Sequence, residues 1–394
     1  MGGLGTGGQR DVGVYVHVPF CERVCPYCDF AVVARRAIDS AEEGQLVDAL
    51  AAELQARAPR YAGHRLATLY FGGGTPSLLR PEAIGRLIEV ARALFPGEPE
   101  EVTLEVNPST LERERLPRFR AVGIDRLSVG VQSFDDAVLH RLGRAHRAVE
   151  AHASLAAARE AGFDHLSLDL IFGVPDQTHS QVLRDAEQAV AAAPEHVSVY
   201  ALSAEAGTPL ATAVERGQWV LPDGDAGAAM MGAVADILEA AGLRRYETSS
   251  YARPGREARH NRRYWQRAPV LGVGVGAHSG EAAELGAPYG ARRSNERDLA
   301  AWLRRIQHGD PAAPPFLERL DARAAQAEAA FLALRTREGL AGGAFEREFG
   351  VAPEVRWPDL PSLQRAGLLT REGDRWQLTR RGWLLSDSVF ERLV

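Results

Sequence analysis

Six short apolar runs recur along the first half of the chain, each followed by a stretch with helical spacing, and this alternation limits the fold more than any other feature. Val12–Val18 reads as a strand, and Ala41–Leu54 as a helix with Leu46, Val47, Leu50 and Leu54 on one face. Leu66–Phe71 is a second strand, stopped by Gly72, Gly73 and Gly74, and Pro81–Leu94 is helical. Glu101–Val106 is a third strand, ending at Asn107 and Pro108; Ser109 can cap the next helix, with Glu112 completing a capping box. Arg126–Val131, His165–Ile171 and His196–Leu202 supply strands four to six, with the helix Thr178–Ala193 before the last. Such an order implies right-handed crossovers and a parallel sheet. Six units are two short of an eightfold barrel, so the expected fold is α/β, an incomplete, splayed (β/α)6 barrel rather than a doubly wound sheet. In either fold a ligand site belongs at the C-terminal strand ends. The polar and glycine-rich segments lie there: Cys21–Cys28, Gly72–Ser77, Asn107, then Gln132 and Ser133.

After about residue 205 the pattern changes. Asp223–Ala241 reads as a helix, Tyr246–Pro254 as irregular, and Val270–Val275 as apolar with interleaved glycine. Pro311, Pro314 and Pro315 mark a linker; Ala324–Leu334 and Leu360–Ala366 read as helices, and Leu368–Thr379 as a hairpin turning at Glu372–Asp374. The expected organisation is a flexible start (1–10), a partial barrel (11–205), a barrel-associated extension carrying the His260–Trp265 segment (206–310) and a small winged-helix-like C-terminal domain (311–394).

Composition removes several function classes. All 46 basic residues of the 394 are arginine, which excludes a P-loop lysine, a Schiff-base lysine and pyridoxal phosphate chemistry on this chain. Arginine is no substitute, because its guanidinium stays protonated. A net charge of -6 gives no basic field for nucleic acid. No apolar run reaches spanning length and no leader precedes a cleavage site, so the expected location is the cytoplasm. Met1, Gly2 and Thr6 formally fit a myristoylation pattern, but a glycine-rich start (Gly2, Gly3, Gly5, Gly7, Gly8) is the simpler reading.

The three cysteines are Cys21, Cys25 and Cys28. Random placement would put three in so short a window with odds on the order of one in a thousand. A C-x3-C-x2-C loop can hold three corners of a [4Fe–4S] cube and leave one iron for an outside ligand. The plainer alternative is a structural zinc with His17 or another histidine. Zinc sites usually pair ligands from two loops, and here all three come from one. Gly72–Ser77 is either a tight turn or a backbone cradle for an amino or carboxylate group. Gly272, Gly274 and Ala277 superficially fit a dinucleotide fingerprint, but no helix follows and no first βαβ unit holds them. Glu105 at a strand end is unremarkable by itself. Asp169 is not, since a carboxylate within an apolar strand must be paired or face a ligand, with Arg144 as its partner or as a carboxylate clamp. His260–Trp265 gathers a histidine, two arginines and two large aromatics. Its bland reading is a helix start with hydrogen-bonded His260 and core aromatics; its sharper one is a surface for a flat, carboxylated aromatic ligand. On a helix His260, Arg263 and Tyr264 share a face while Arg262 and Trp265 diverge, so the first three are the expected ligand contacts and Trp265 is expected in the core.

Taken together, these residues resemble the radical SAM superfamily and its coproporphyrinogen III oxidase-like branch. The resemblance rests on Tyr15–Cys21 with the cysteine loop, Gly72–Ser77, Leu104–Pro108, Ser128–Phe134, Leu142–Arg144, Asp169–Pro175, and Tyr246 with Glu247, and covers at least residues 12–280. It implies that Cys21, Cys25 and Cys28 hold a [4Fe–4S] cluster, and that S-adenosyl-L-methionine (SAM) chelates the open iron. Tyr15, Tyr27, Gly73, Gly74, Thr75, Glu105, Gln132, Arg144 and Asp169 match SAM-contacting positions, with Glu105 or Asp169 suited to ribose hydroxyls. One electron would then cleave SAM to methionine and a 5′-deoxyadenosyl radical.

Two departures narrow the branch. The oxidases place a further cysteine two positions after the third, where this chain has Phe30, and they carry a long N-terminal segment where only 20 residues precede Cys21. With His260–Trp265, these features are similar to the HemW-like haem chaperones, whose cargo is haem and whose candidate contacts here are His260, Arg263 and Tyr264. The partners implied are haem, haem-accepting apoproteins and an electron donor, without nucleic acid. Peripheral contact with membrane-bound acceptors and a homodimer are compatible with it. The rival readings are an oxygen-independent coproporphyrinogen III oxidase and a structural metalloprotein acting through a partner; a chaperone role is favoured over the oxidase.

Overall fold

A computed structural model describes residues 10–284, 287–313 and 315–393. The glycines of the start and Pro314 of the linker lie outside the described residues. β1 (Asp11–Val18) runs into a short parallel pair, β2 (Phe20–Cys21) and β3 (Val33–Ala34). Then come β4 (Arg65–Gly73), β5 (Glu101–Val106), β6 (Arg126–Gln132), β7 (Leu166–Phe172) and β8 (His196–Ala201), joined by the helices expected between them. β1 and β4–β8 pair in chain order, all parallel. The sheet runs on at both ends. β9 (Arg244–Arg245) and β10 (Ser250–Ala252) add antiparallel beside β8. β11 (Val270–Val273) lies parallel to β1, followed by antiparallel β12 (His278–Glu281), β13 (Ala291–Ser294) and β14 (Phe316–Arg319). The result is an open twelve-stranded mixed sheet, a partial α/β barrel that does not close.

Three local readings change. Tyr246–Pro254, read as irregular, contains β10; Val270–Val273 is a seventh parallel strand; and the linker leads at once into edge strand β14. Strands of two to four residues are too short to show a period, and Gly272 interrupts the apolar run of β11. Ser109 does cap its helix by accepting from the Glu112 amide at 3.2 Å. The Glu112 carboxylate instead takes the Asn107 amide, at 3.0 Å, and the Ser77 hydroxyl.

The strands are two-faced, which positions everything else. Val12, Val14, Val16 and Val18, Leu69 and Phe71, Leu104, and Leu127 and Val129 are buried in one core with Leu46, Leu50, Ile84, Leu87 and Phe119 of the outer helices. The residues between them form the inner face: Tyr15 and His17, Thr68 and Tyr70, Glu105, Arg126 and Ser128, Asp169, and Ser198. Burial of the aliphatic set drives the sheet against its helices, and the period of two then commits the polar set to the barrel interior.

A second core, with Leu334, Phe345, Trp357, Leu363 and Trp376, holds the C-terminal domain together. Its sheet, β15 (Leu340–Ala341), β16 (Leu369–Glu372) and β17 (Arg375–Leu378), has the order β15-β17-β16. With the helices Ala322–Arg335, Gly342–Phe349 and Leu360–Arg365 it makes a winged-helix-like unit. Trp383 fastens that unit to the barrel: buried in the main core, it donates to the Thr248 carbonyl at 2.9 Å.

Candidate functional site

The cysteine loop is clamped at both ends. Pairing of β2 with β3 fixes its stem, with Val33 N–H donating to the Pro19 carbonyl and Arg35 N–H to the Cys21 carbonyl, each at 2.7 Å. The end of β4 fixes its start: Gly74 N–H donates to the Val18 carbonyl at 2.8 Å and Thr75 N–H to the Phe20 carbonyl at 2.7 Å. Gly73 N–H donates to Glu105 Oε2 at 3.1 Å. The amides of this glycine turn are therefore occupied by the chain itself and are not offered to a ligand. A Cβ at Gly74 would sit 2.6 Å from the Phe20 carbonyl oxygen, so only glycine lets the turn pass under the cysteine loop.

A polar relay links two of the cysteines. Thr75 Oγ1 lies 3.6 Å from Cys21 Sγ, Asn107 Nδ2 donates to Thr75 Oγ1 at 2.8 Å, and Arg144 donates to Asn107 Oδ1 and, at 3.0 Å, to the Gly130 carbonyl. The same guanidinium reaches Cys25 Sγ at 3.8 Å. Arg144 is thus held by Asn107, Gly130 and Cys25, while Asp169 is held by Ser128 at 3.1 Å and by Ser198; the expected Arg144–Asp169 pair is replaced by these two sets. Arg144 Nε is buried without a partner. Burial raises the Cys21 thiol to about 11 and also raises Cys28, each with the neighbouring thiols adding to the shift. Soft donors with unfavourable thiolates, beside an unsatisfied buried N–H, fit a metal cluster and an anionic ligand: bound metal reverses the thiol shift, and a carboxylate satisfies Arg144.

Deeper in the barrel, Tyr15 stacks on Tyr70 with centroids 6.0 Å apart, and Tyr70 donates to Glu105 Oε1 at 2.7 Å. Burial, with the charge of Asp169 against it, lifts Glu105 to about 7; burial also lifts Asp169. Tyr27 packs beside the Val138, Leu142 and Ile171 cluster, and Gln132 ends β6 at φ +64°. Of the residues singled out in the sequence, the cysteines, Tyr15, Tyr27, Gly73, Gly74, Thr75, Glu105, Gln132, Arg144 and Asp169 all lie at the mouth or inner wall. Tyr70, Ser128 and Ser198 were missed. The period-two alternation of polar residues through β4, β6 and β8 is the signal that finds them.

The helix Arg259–Trp265 lies at the opposite end. Glu101, at the start of β5, accepts the Arg259 and His260 amides at 2.9 and 3.0 Å. His260 is fully enclosed: Nδ1 bonds Thr68 Oγ1 at 2.8 Å and Nε2 bonds Tyr264 Oη at 3.1 Å. Burial, then Arg263, lowers its pKa to about 3. Arg263 pairs with Asp11 at 2.9 Å and donates to the Pro269 carbonyl at 3.0 Å. His260, Arg263 and Tyr264 do share a face, but that face closes the barrel floor. Trp265, expected in the core, is half-buried on the other side. Arg335 lies 4.3 Å over its ring, and its Nε1 is buried without a partner. There it lines a cleft of about 380 Å³ with Tyr246, Arg262, Arg267 and Phe345. Reading the direction of a helix that diverges both ways needed the neighbouring domain, which the sequence does not place.

Residues 15–189 match the radical SAM superfamily, and residues 320–385 match the HemN C-terminal domain. The chain is 37% identical over 396 residues to the heme chaperone HemW of Mycobacterium tuberculosis (strain ATCC 25618 / H37Rv), covering 100% of this chain and 97% of that protein. It is 33% identical over 383 residues to HemW of Escherichia coli (strain K12), covering 96% and 97%. With the mitochondrial radical S-adenosyl methionine domain-containing protein 1 of Bos taurus it shares 35% over 404 residues, covering 98% and 88%. Among solved structures, coproporphyrinogen III oxidase (HemN) from Escherichia coli superposes with a TM-score of 0.80 at 24% identity, over 98% of this chain and 90% of that one, a likeness of fold.

Proposed function

The chain belongs to the HemW family of the radical SAM superfamily, and on that premise we propose that it is a haem chaperone carrying a [4Fe–4S] cluster and SAM at the barrel mouth. The observation that carries the mouth reading is Arg144, a half-buried guanidinium beside Cys25 whose buried Nε is unpartnered. Cys21, Cys25 and Cys28 hold three corners of the cluster. Arg144 takes the SAM carboxylate, the amides of Gly74 and Thr75 brace the cysteine loop against β4, and the Gly73 amide holds Glu105. Glu105 and Asp169 accept ribose hydroxyls, Tyr15 walls the interior, and Tyr27 and Gln132 flank the opening. A cluster held by these three cysteines would supply the single electron of radical SAM chemistry.

Haem is the cargo, and acceptor apoproteins and an electron donor are the partners. Because His260, Arg263 and Tyr264 are committed to the floor, we place the haem contact on the outer face of that helix, at Trp265, whose Nε1 is unpartnered, and at Arg262, in an exposed pair with Glu338; Arg267, beyond the helix, is held by Glu328, Glu348 and the Tyr289 carbonyl. Arg262 suits a propionate and the indole a ring face. A cluster held by three cysteine thiolates suits a reducing compartment, the cytoplasm. Among the described residues no helix is long and apolar enough to cross a membrane, and contact with membrane-bound acceptors is then peripheral.

The test is anaerobic reconstitution, haem titration and transfer to a haem-free acceptor, with a coproporphyrinogen III turnover assay alongside. Stoichiometric haem binding and transfer without turnover is expected. Catalytic conversion of coproporphyrinogen III would reverse the assignment in favour of the oxidase. Trp265→Ala is expected to weaken haem binding about tenfold, equivalent to about 1.4 kcal/mol. Unchanged affinity moves the contact elsewhere.

A further inference from the structure

Gln132 ends β6 in a conformation that its residue type disfavours. Its φ is +64°, and Ser133 N–H donates back to the Val131 carbonyl at 2.8 Å, closing a three-residue turn with Gln132 at its centre. Turns of this hand are rare and strained, and a non-glycine residue holds one only where its surroundings over-determine it. The β6–β7 register also slips between Val129 and Gln132, so the sheet itself does not enforce the geometry. The turn sits at the mouth, where a Cβ at Gly130 would lie 3.0 Å from both Asn107 Oδ1 and Gln132 Nε2.

What enforces it comes from behind. Asp185, in the helix His179–Ala191, is buried, with 5% of its surface exposed. Its Oδ2 accepts the Ser133 hydroxyl at 2.6 Å and its Oδ1 accepts the Phe134 amide at 2.7 Å. Ser133 Oγ in turn accepts the Asp135 amide at 3.0 Å. His146 Nε2 lies 3.1 Å from the Val131 carbonyl on the other side of the turn. A carboxylate enclosed in this way, with no ion pair among the described residues, is kept for the two donors that it grips.

We propose that Asp185 is a positioning residue for SAM binding: by gripping Ser133 and Phe134 it holds the strained turn that presents Gln132 at the barrel mouth. This rests on the reading of that mouth as the SAM site. It adds a residue that touches no ligand and acts through the backbone of one that does.

Equilibrium SAM binding to the anaerobically reconstituted full chain tests it, with iron content measured on the same samples. Asp185→Ala is expected to weaken SAM binding about tenfold while the iron content stays at the parent's value. Asp185→Asn keeps both contacts, its carbonyl accepting the Phe134 amide and its amide donating to Ser133 Oγ, and should stay within about threefold of the parent. Gln132→Gly removes the strained side chain, so adding Asp185→Ala to it should cause no further loss; a merely structural role would give additive losses. If Asp185→Ala does not accumulate as folded protein, Ser133→Ala deletes the shorter bond and should cost about threefold in affinity. Parent-like affinity in Asp185→Ala, or in Ser133→Ala where that replaces it, overturns the inference. Full additivity in the double variant does so as well. A parent chain that carries its cluster yet binds no SAM fails earlier, by removing the site itself.

Discussion

At the mouth of the barrel a buried guanidinium nitrogen lacks a partner and two thiols are raised above their ordinary pKa. At the floor, by contrast, both ring nitrogens of His260, the hydroxyl of Tyr264 and the guanidinium of Arg263 are bonded within the chain. Both ends carry residues of the kind that bind cofactors, and residue type alone does not separate them. Satisfaction does. An unsatisfied group beside metal-ligating thiols marks where a ligand completes the structure, whereas Arg126 Nε, unpartnered near the floor, has no thiol beside it; groups that satisfy one another mark where the wall is already complete.

The largest effect that can break this contrast is at the mouth. Replacing any one of Cys21, Cys25 or Cys28 with serine should remove the cluster, taking anaerobically purified protein from about four iron per chain to background. Stoichiometric zinc in the parent, purified without air, would falsify the cluster assignment. Gly74→Val follows closely. Its side chain meets the Phe20 carbonyl, so it should displace the cysteine loop and lower iron content and SAM binding together. Loss of SAM binding with full iron content would show that the turn contacts the ligand and does not brace the loop.

The floor should respond in stability and leave the mouth alone. His260→Ala empties a buried site and strands Thr68 Oγ1 and Tyr264 Oη, at a cost of about 3 to 4 kcal/mol in denaturant unfolding. Iron content and the Soret position of added haem should not change. A shifted Soret band in this variant would mean that the floor opens to admit haem, and the contrast between the two ends would fall.

How much of this could be read in advance follows the same division. The six parallel strands and the cysteine loop were legible because each rests on local pattern: period-two burial, a glycine stop, a dense cysteine spacing. β10, β11 and β14 were not, since strands of three or four residues carry no period and are defined by their neighbours. The segment His260–Trp265 was legible as a two-faced helix and misread in direction. Which face meets the barrel depends on Thr68, Glu101 and Asp11, all more than 150 residues away in sequence and recruited by tertiary packing. Asn107 stood out as a strand end, yet its bridging of Thr75 and Arg144 follows only from the curvature that brings β4, β5 and the Arg144 loop together.

A pH titration gives the smallest effect and the sharpest view of the mouth. Glu105 is half-buried in the inner wall, and burial together with Asp169 lifts its pKa to about 7, while in the unfolded chain it ionises near its ordinary value of 4.5. The unfolded state therefore loses this proton first as pH rises. The stabilisation is fully present below about 4.5 and is lost as pH climbs towards 7, with a total on the order of 2 to 3 kcal/mol. In denaturant unfolding of cluster-free protein between pH 5 and 8, the stability of the parent relative to Glu105→Gln should show the decline, because Asp125 and Asp185, lifted to about 6, and His17 and His146, lowered to about 4, titrate in both. Ribose hydroxyls donating to the ionised carboxylate act in the opposite sense, so SAM affinity of the cluster-loaded protein should rise over the same interval in the parent and stay level in Glu105→Gln. A parent whose SAM affinity is flat from pH 6 to 8 would remove Glu105 from the ligand's contacts. It would then stand as one more internally satisfied group, bonded to Tyr70 and Gly73, like those at the floor.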